Sequence, residues 1–334
     1  MKKLLLLIVI LFLMAYGWYH VELRPVDTAS QERSMVTIEE GMGVSQIADL
    51  LAEKGVIRSP LAFKLFVRFE GVQTELQAGK FIVRPAMSVP EIVELLRSGK
   101  AEEQMITIPE GFTVKDIDML LAKKGLAGTG ETVRCAQECD FSSFTFLPDS
   151  VSKAPRGGKL EGYLFPETYY VTMTDFVSKF FLERMLTTFR KRIVEGLASD
   201  IAASKRSLDQ IVTMASLIEE ETRTDAERPV IAGILWKRFD AGLGLGVDAT
   251  VRYILDKPTD DITVNDLNTN SPYNTRKFKG LPPGPIASPS LASIQAALRP
   301  AETKYWYYLH GKDWQVHYAV TNEEQNVNRY LYLR

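Results

Sequence analysis

Carboxylates are the residues in this chain whose types and spacing suit chemistry. Glu219, Glu220 and Glu221 stand in a row near the end of S-L-D-Q-I-V-T-M-A-S-L-I-E-E-E-T, residues 207–222. Ser207 with Gln210 three residues later is a capping-box start, so the segment predicts a helix. Leu208, Ile211, Val212, Ala215 and Ile218 follow helical spacing and form one apolar stripe. At about 100° per residue, Glu219 falls about 20° from Leu208 around the axis, in the centre of that stripe. Glu220 and Glu221 are rotated away from it. A carboxyl group on an apolar face is poorly solvated, so its pKa rises. An acid that keeps its proton near neutral pH can act as a general acid. The register therefore selects Glu219 as the candidate catalytic residue. The bland alternative is an ordinary wet last turn carrying three solvated glutamates.

Other chemistries are absent from the sequence. It holds no Gly-rich phosphate loop, zinc motif or nucleophile elbow. His20, His310 and His317 are too scattered for a metal site, so neither metal nor cofactor is expected. Cys135 and Cys139 have no nearby histidine to complete a zinc site. Four residues apart, they could bond across one helical turn in an export compartment, or stay as thiols.

The elements that must position these carboxylates begin with an apolar run from Leu4 to Tyr19 after Lys2 and Lys3. The run predicts a membrane anchor over 4–21, with residues 1–3 cytoplasmic by the positive-inside rule and the rest of the chain outside the inner membrane. A cleavable signal peptide is the competing reading. The polar segment 22–34 reads as a tether. A net charge of −2 over 334 residues gives no field that would draw nucleic acid. Residues 36–56 and 106–126 repeat in register seventy residues apart, with a weaker copy from Phe81 to Lys100. Each copy predicts a strand, a turn at Gly41, Ala86 or Gly111, and a helix. With a further helix at Ser59–Glu70, the order strand, helix, helix, strand over 35–102 resembles a LysM-like module, a type that often holds N-acetylated glycans. Plain packing scaffold is the alternative, since no aromatic cluster marks a sugar shelf.

Residues 125–160 read as loop and Leu160–Val171 as extended chain. Phe176–Leu197, Ala226–Ala241 and Leu291–Leu298 read as helices. Lys304–His310 and Gln315–Thr321 read as a closing strand pair. Asp248 precedes A-T-V-R-Y-I-L as a helix N-cap. The whole is expected to be α+β: a transmembrane helix, a small LysM-like module, and a larger mixed α/β catalytic domain over 103–334.

Several motifs together resemble the YceG-like family of endolytic murein transglycosylases. They are A-S-L-I-E-E-E-T, Glu227–Arg228, G-L-G-L-G-V-D-A-T-V-R-Y, S-P-Y-N-T and G-L-P-P-G-P-I-A-S-P, with L-E-G-Y-L-F-P-E-T-Y and I-P-E-G-F-T-V upstream. The resemblance covers nearly the whole chain. It implies cleavage of the MurNAc–GlcNAc β-1,4 bond of nascent peptidoglycan to leave 1,6-anhydro-MurNAc ends, beside the peptidoglycan synthases. It implies that the first acid of E-x-E-T, Glu219, is the catalytic acid and base. Glu161, Asp248, Tyr273, Asn274 and Thr275 are the matched candidates for a glycan groove. The chain departs from the family's pattern at Lys237–Phe239, Leu245–Thr250 and Gln325–Asn326. Two rival functions stand beside this one. The first is a muramidase-type hydrolase with Asp248 as base for water, and the second is a tethered glycan-binding protein without catalysis.

Overall fold

The computed structural model describes residues 2–28, 30, 34–99, 103–148, 157–172, 176–257 and 262–333. Met1, parts of the tether at 29 and 31–33, the expected end of the first module at 100–102, and Pro155 of the loop segment lie outside the described residues.

Helix α1 spans Lys2–Glu22, and none of its residues is buried. Its best 18-residue window has a mean hydropathy of 2.2. At about 1.5 Å per residue, 21 residues reach about 30 Å. By length and composition the helix can cross a membrane.

The chain divides into two compact units, Met1–Met105 with Tyr170–Phe176, and Ile106–Tyr169 with Val177–Arg334. In the first, β1 (Ser34–Ile38), α2 (Val44–Glu53), α3 (Pro60–Glu70), β2 (Gly79–Val83) and α4 (Val89–Ser98) follow in order. β1 pairs antiparallel with β2, from Ser34 opposite Val83 to Ile38 opposite Gly79. Strand alternation turns Val36 and Ile38 inward. They meet Ile47, Leu51, Phe63, Phe81, Ile92 and Leu96 in one core. Ser59 caps α3, and Ser88 with Glu91 forms a capping box on α4.

A second strand pair joins β3 (Glu103–Thr107) to β4 (Thr168–Thr172). The larger unit then carries α5 (Val114–Lys123), α6 (Glu131–Glu138), α7 (Ser178–Phe189), α8 (Ala198–Ser204) and α9 (Leu208–Glu221). After these come α10 (Arg228–Asp240), α11 (Asp248–Leu255), α12 (Val264–Leu267) and α13 (Leu291–Leu298). An antiparallel hairpin, β5 (Tyr307–His310) and β6 (Val316–Ala319), precedes α14 (Asn322–Tyr332).

The centre of this unit is α9. Every residue from Ile211 to Ile218 is buried, Thr213 and Ser216 included. A helix covered on all sides has no single apolar stripe, so the register that singled out Glu219 does not describe its surroundings. Packing against α10, α11 and α13 covers the remaining faces.

Elsewhere the structure departs from the sequence reading at tight turns and short helices. Residues 160–167 form turns instead of extended chain, and the strand starts only at Thr168. Gly162 adopts φ +80°, and a Cβ there would lie 2.3 Å from Pro285 Cβ. The turn therefore requires glycine. The helix from Ser178 changes to a π-helical turn over Arg190–Glu195. α6 lies within the expected loop, and its Cys135 is disulfide-bonded to Cys139. α14 was not anticipated, although Thr321 and Glu324 form its capping box.

Candidate active site

The three consecutive glutamates at the end of α9 meet three different environments. Glu219 has a side chain only 8% exposed, and its ion pair with Arg228 spans 3.3 Å. Its Oε2 accepts from Ser290 N–H at 2.8 Å and from Ser290 Oγ–H at 2.5 Å. Arg228 Nε also donates to Ser293 Oγ at 3.0 Å, and its Nη1 pairs with Asp225. What surrounds the Glu219 carboxyl is thus a guanidinium and a capping serine, in place of the expected apolar wall. The arrangement ties α9 to α10 and α13.

Glu220 belongs to a small pocket of about 120 Å³ with Thr113, Lys115, Asp116, Arg252 and Tyr253. The residue is exposed overall, but its Oε1 lies 3.0 Å from where a Cβ on Gly111 would sit. Burial first, then the charges of Glu219, Glu221 and Asp116, push its carboxyl up to about 7.

Glu221 lines a larger cleft of about 320 Å³ together with Arg238, Asp248, Arg276, Trp306 and Tyr308. Tyr308 Oη donates to Glu221 Oε2 at 2.8 Å. Burial is the main cause that raises its carboxyl to about 7, and the Asp248 charge adds to it. The Tyr308 hydroxyl, the Ala249 N–H and the Arg276 charge act the other way. The registers of α9, α11 and β5 converge here. α9 ends at Glu221, α11 starts at Asp248, and Tyr308 is the second residue of β5.

Asp248 does not cap α11. Val247 holds the N-cap position, and its N–H donates to Thr275 Oγ1 at 2.9 Å. Glu221 takes the N–H of Ala249, two residues further on. Asp248, as the first helical residue, turns to Arg276 through both Oδ1 and Oδ2. Among the described residues no group of three His, Cys, Asp or Glu side chains could hold a metal ion. Chemically, the cleft offers one carboxyl poised to hold or release a proton near neutral pH, beside a second carboxylate locked to an arginine.

The sequence pattern of the YceG-like family matches residues 36–330. The chain belongs to the YceG-like family. The endolytic murein transglycosylase of Bacillus subtilis (strain 168) is 32% identical over 322 residues, covering 93% of this chain and 88% of that protein. The endolytic murein transglycosylase of Streptococcus pneumoniae serotype 2 (strain D39) is 27% identical over 345 residues, 94% of this chain but 61% of the longer relative. In crystal form, a yceG-like protein of Listeria monocytogenes superposes with a TM-score of 0.63 at 30% identity, covering 89% of this chain and 99% of that one.

In this YceG-like chain, four of the five residues expected to line a groove are buried. Glu161 is wholly enclosed, accepting from Val114 N–H and from Tyr253 Oη, each at 3.0 Å. Tyr273 packs its ring 5.4 Å from that of Tyr253, and burial raises its hydroxyl. Asn274 donates Nδ2–H bonds to the carbonyls of Leu267 and Thr269. Thr275 receives the Val247 N–H. These side chains hold the loop 267–276 and the start of α11 in place, and that duty leaves them below the surface. Asp248 alone of the five lines the cleft. The helical register set Glu221 aside, Gln325 entered only as a departure from the family's pattern, and nothing in the sequence singled out Tyr308 or Arg329, all of which line the same cleft. The aromatic run in K-Y-W-Y-Y-L-H marks a strand but carries no sign of which carboxylate it meets.

Proposed function

We propose that this protein is a membrane-anchored lytic transglycosylase of peptidoglycan, with Glu221 as its acid and base. The observation that carries the reading is the Glu221 carboxyl, set in the 320 Å³ cleft, bonded to Tyr308 and raised to about 7. The names of the curated relatives support the substrate class. Protonated Glu221 gives its proton to the glycosidic oxygen between MurNAc and GlcNAc as the β-1,4 bond breaks. The resulting carboxylate takes a proton from the 6-hydroxyl of the same MurNAc, whose oxygen closes on C1. One C–O bond breaks, one forms, and the proton passes from O6 to the leaving oxygen through one residue. No protein nucleophile is needed, in contrast to the carboxylate pairs of retaining glycosidases. The tethered hydroxyl has the advantage of proximity over free water.

This reading replaces Glu219 as the acid, because Arg228 and Ser290 occupy that carboxyl. In the same proposal α1 anchors the chain in the cell membrane with its N-terminus in the cytoplasm. The order β1, α2, α3, β2 acts as a LysM-like glycan holder. The enzyme trims nascent strands beside the peptidoglycan synthases. A hydrolase is the second reading, favoured by the presence of Asp248 in the same cleft. Its hold by Arg276 argues against service as a base for water. Mass spectrometry of digested peptidoglycan is the test: anhydro ends from wild type and none from Glu221→Gln support the proposal. Mainly reducing MurNAc ends that vanish in Asp248→Asn would favour the hydrolase.

A further inference from the structure

The cleft that holds Glu221 has an end built by α14. Most of its polar groups are committed within the protein. Glu221 is bonded to Tyr308, Asp248 to Arg276, and His310 to Glu227. Arg238 spends its guanidinium on the carbonyls of Gly244 and Trp306. Two groups differ. Gln325 is only 4% exposed and donates Nε2–H to the Tyr308 carbonyl at 3.0 Å, yet its buried Oε1 has no partner. Arg329 lines the cleft, and its guanidinium has no ion-pair or hydrogen-bond partner among the described residues. The two residues stand four apart on α14, and so on one face of it.

A buried acceptor without a donor is costly unless a ligand supplies one. An unpaired guanidinium at the rim suits an anion, carboxylate in particular. A ligand that satisfies both carries an N–H close to a carboxylate. Bare sugars have hydroxyls and acetamido groups but no charge. A peptide branch on the glycan carries amide N–H groups and carboxylates on one short arm.

We propose that Gln325 and Arg329 form a subsite for the peptide branch of the glycan, Gln325 Oε1 accepting an amide N–H and Arg329 pairing with a carboxylate. The subsite rests on the glycan-cleaving reading above and adds a selection rule to it: strands that carry peptides are preferred over strands stripped of them.

The test compares two substrates, uncrosslinked glycan strands with their peptides and the same strands after an amidase has removed them. Wild type is expected to cleave the peptide-bearing strands with a kcat/KM higher by roughly fivefold, the scale of an ion pair at a solvent-facing rim. Arg329→Gln should bring the ratio of the two substrates close to one, through KM. Arg329→Lys should restore part of it. Arg329 is exposed, so these variants are expected to fold. Equal rates for both substrates in wild type, or a ratio unchanged in Arg329→Gln, would overturn the subsite. So would a larger loss on stripped strands, whose exposed lactoyl carboxylate would then be the group that Arg329 holds. If wild type cleaves neither substrate, the glycan reading itself fails, and the subsite with it.

Discussion

Tyr308 on β5 donates a 2.8 Å hydrogen bond to Glu221 at the end of α9, joining residues 87 positions apart. The phenol is itself deeply buried, so its own titration lies well above the usual tyrosine range. It therefore stays a donor across the neutral range in which Glu221 titrates. The bond favours the carboxylate form of Glu221, while burial favours the neutral form, and burial wins.

The first prediction separates the three glutamates. Glu221→Gln keeps shape but removes the proton that moves, and activity should fall by roughly 10²–10⁴-fold. Glu220→Gln should keep most activity. Glu219→Gln should reduce activity mainly in proportion to lost folded protein. Turnover of purified, folded variants on uncrosslinked strands checks this. Near-normal activity in Glu221→Gln with a dead, well-folded Glu219→Gln would return the assignment to Glu219.

The second concerns pH. The acid form of Glu221 starts the reaction, so kcat/KM should fall as pH rises through about 7. Tyr308→Phe removes a bond that lowers this pKa, so the alkaline limb should move to higher pH. A pH–rate profile of both proteins decides it. A limb that moves down, or stays fixed, contradicts the pairing described here.

The third concerns stability. The Glu221 carboxyl titrates at about 7 in the folded protein against an ordinary 4.5. Between those values the folded chain binds a proton that the unfolded chain releases. Stability from this group is present below about pH 4.5 and is lost as pH rises towards 7. The Tm of Glu221→Gln should therefore gain on wild type as pH goes from 4.5 to 7. Parallel melting curves across that range would refute the burial of this group.

The fourth addresses the Glu219–Arg228 pair, whose side chains are 8% and 11% exposed. Arg228→Met leaves a buried carboxylate without its cation and should cost about 3 kcal/mol. The double variant Glu219→Gln/Arg228→Met should recover part of that loss. Denaturant unfolding of the four proteins gives the coupling, and simple additivity would show that the pair is not a structural tie.

The sequence by itself determined the helical elements with strong periodic signals, because local caps and apolar spacing suffice for those. Ser207 and Gln210 start α9 as the capping box requires, and α13 falls at Leu291–Leu298 as its spacing predicts. The register repeat marked turns at Gly41 and Gly111, and the structure shows both glycines at positive φ. The family was legible too, because its motifs are contiguous strings. What only the tertiary structure decided is which carboxylate faces a cleft. Helical register places Glu219 on a stripe, but α9 is buried on every side, so the stripe carries no direction. The environment of each glutamate comes from distant partners: Arg228 and Ser290 for Glu219, Gly111 for Glu220, Tyr308 and Ala249 for Glu221. A pKa depends on burial and on charges within a few ångströms, and those are set by chain segments that no local pattern brings together.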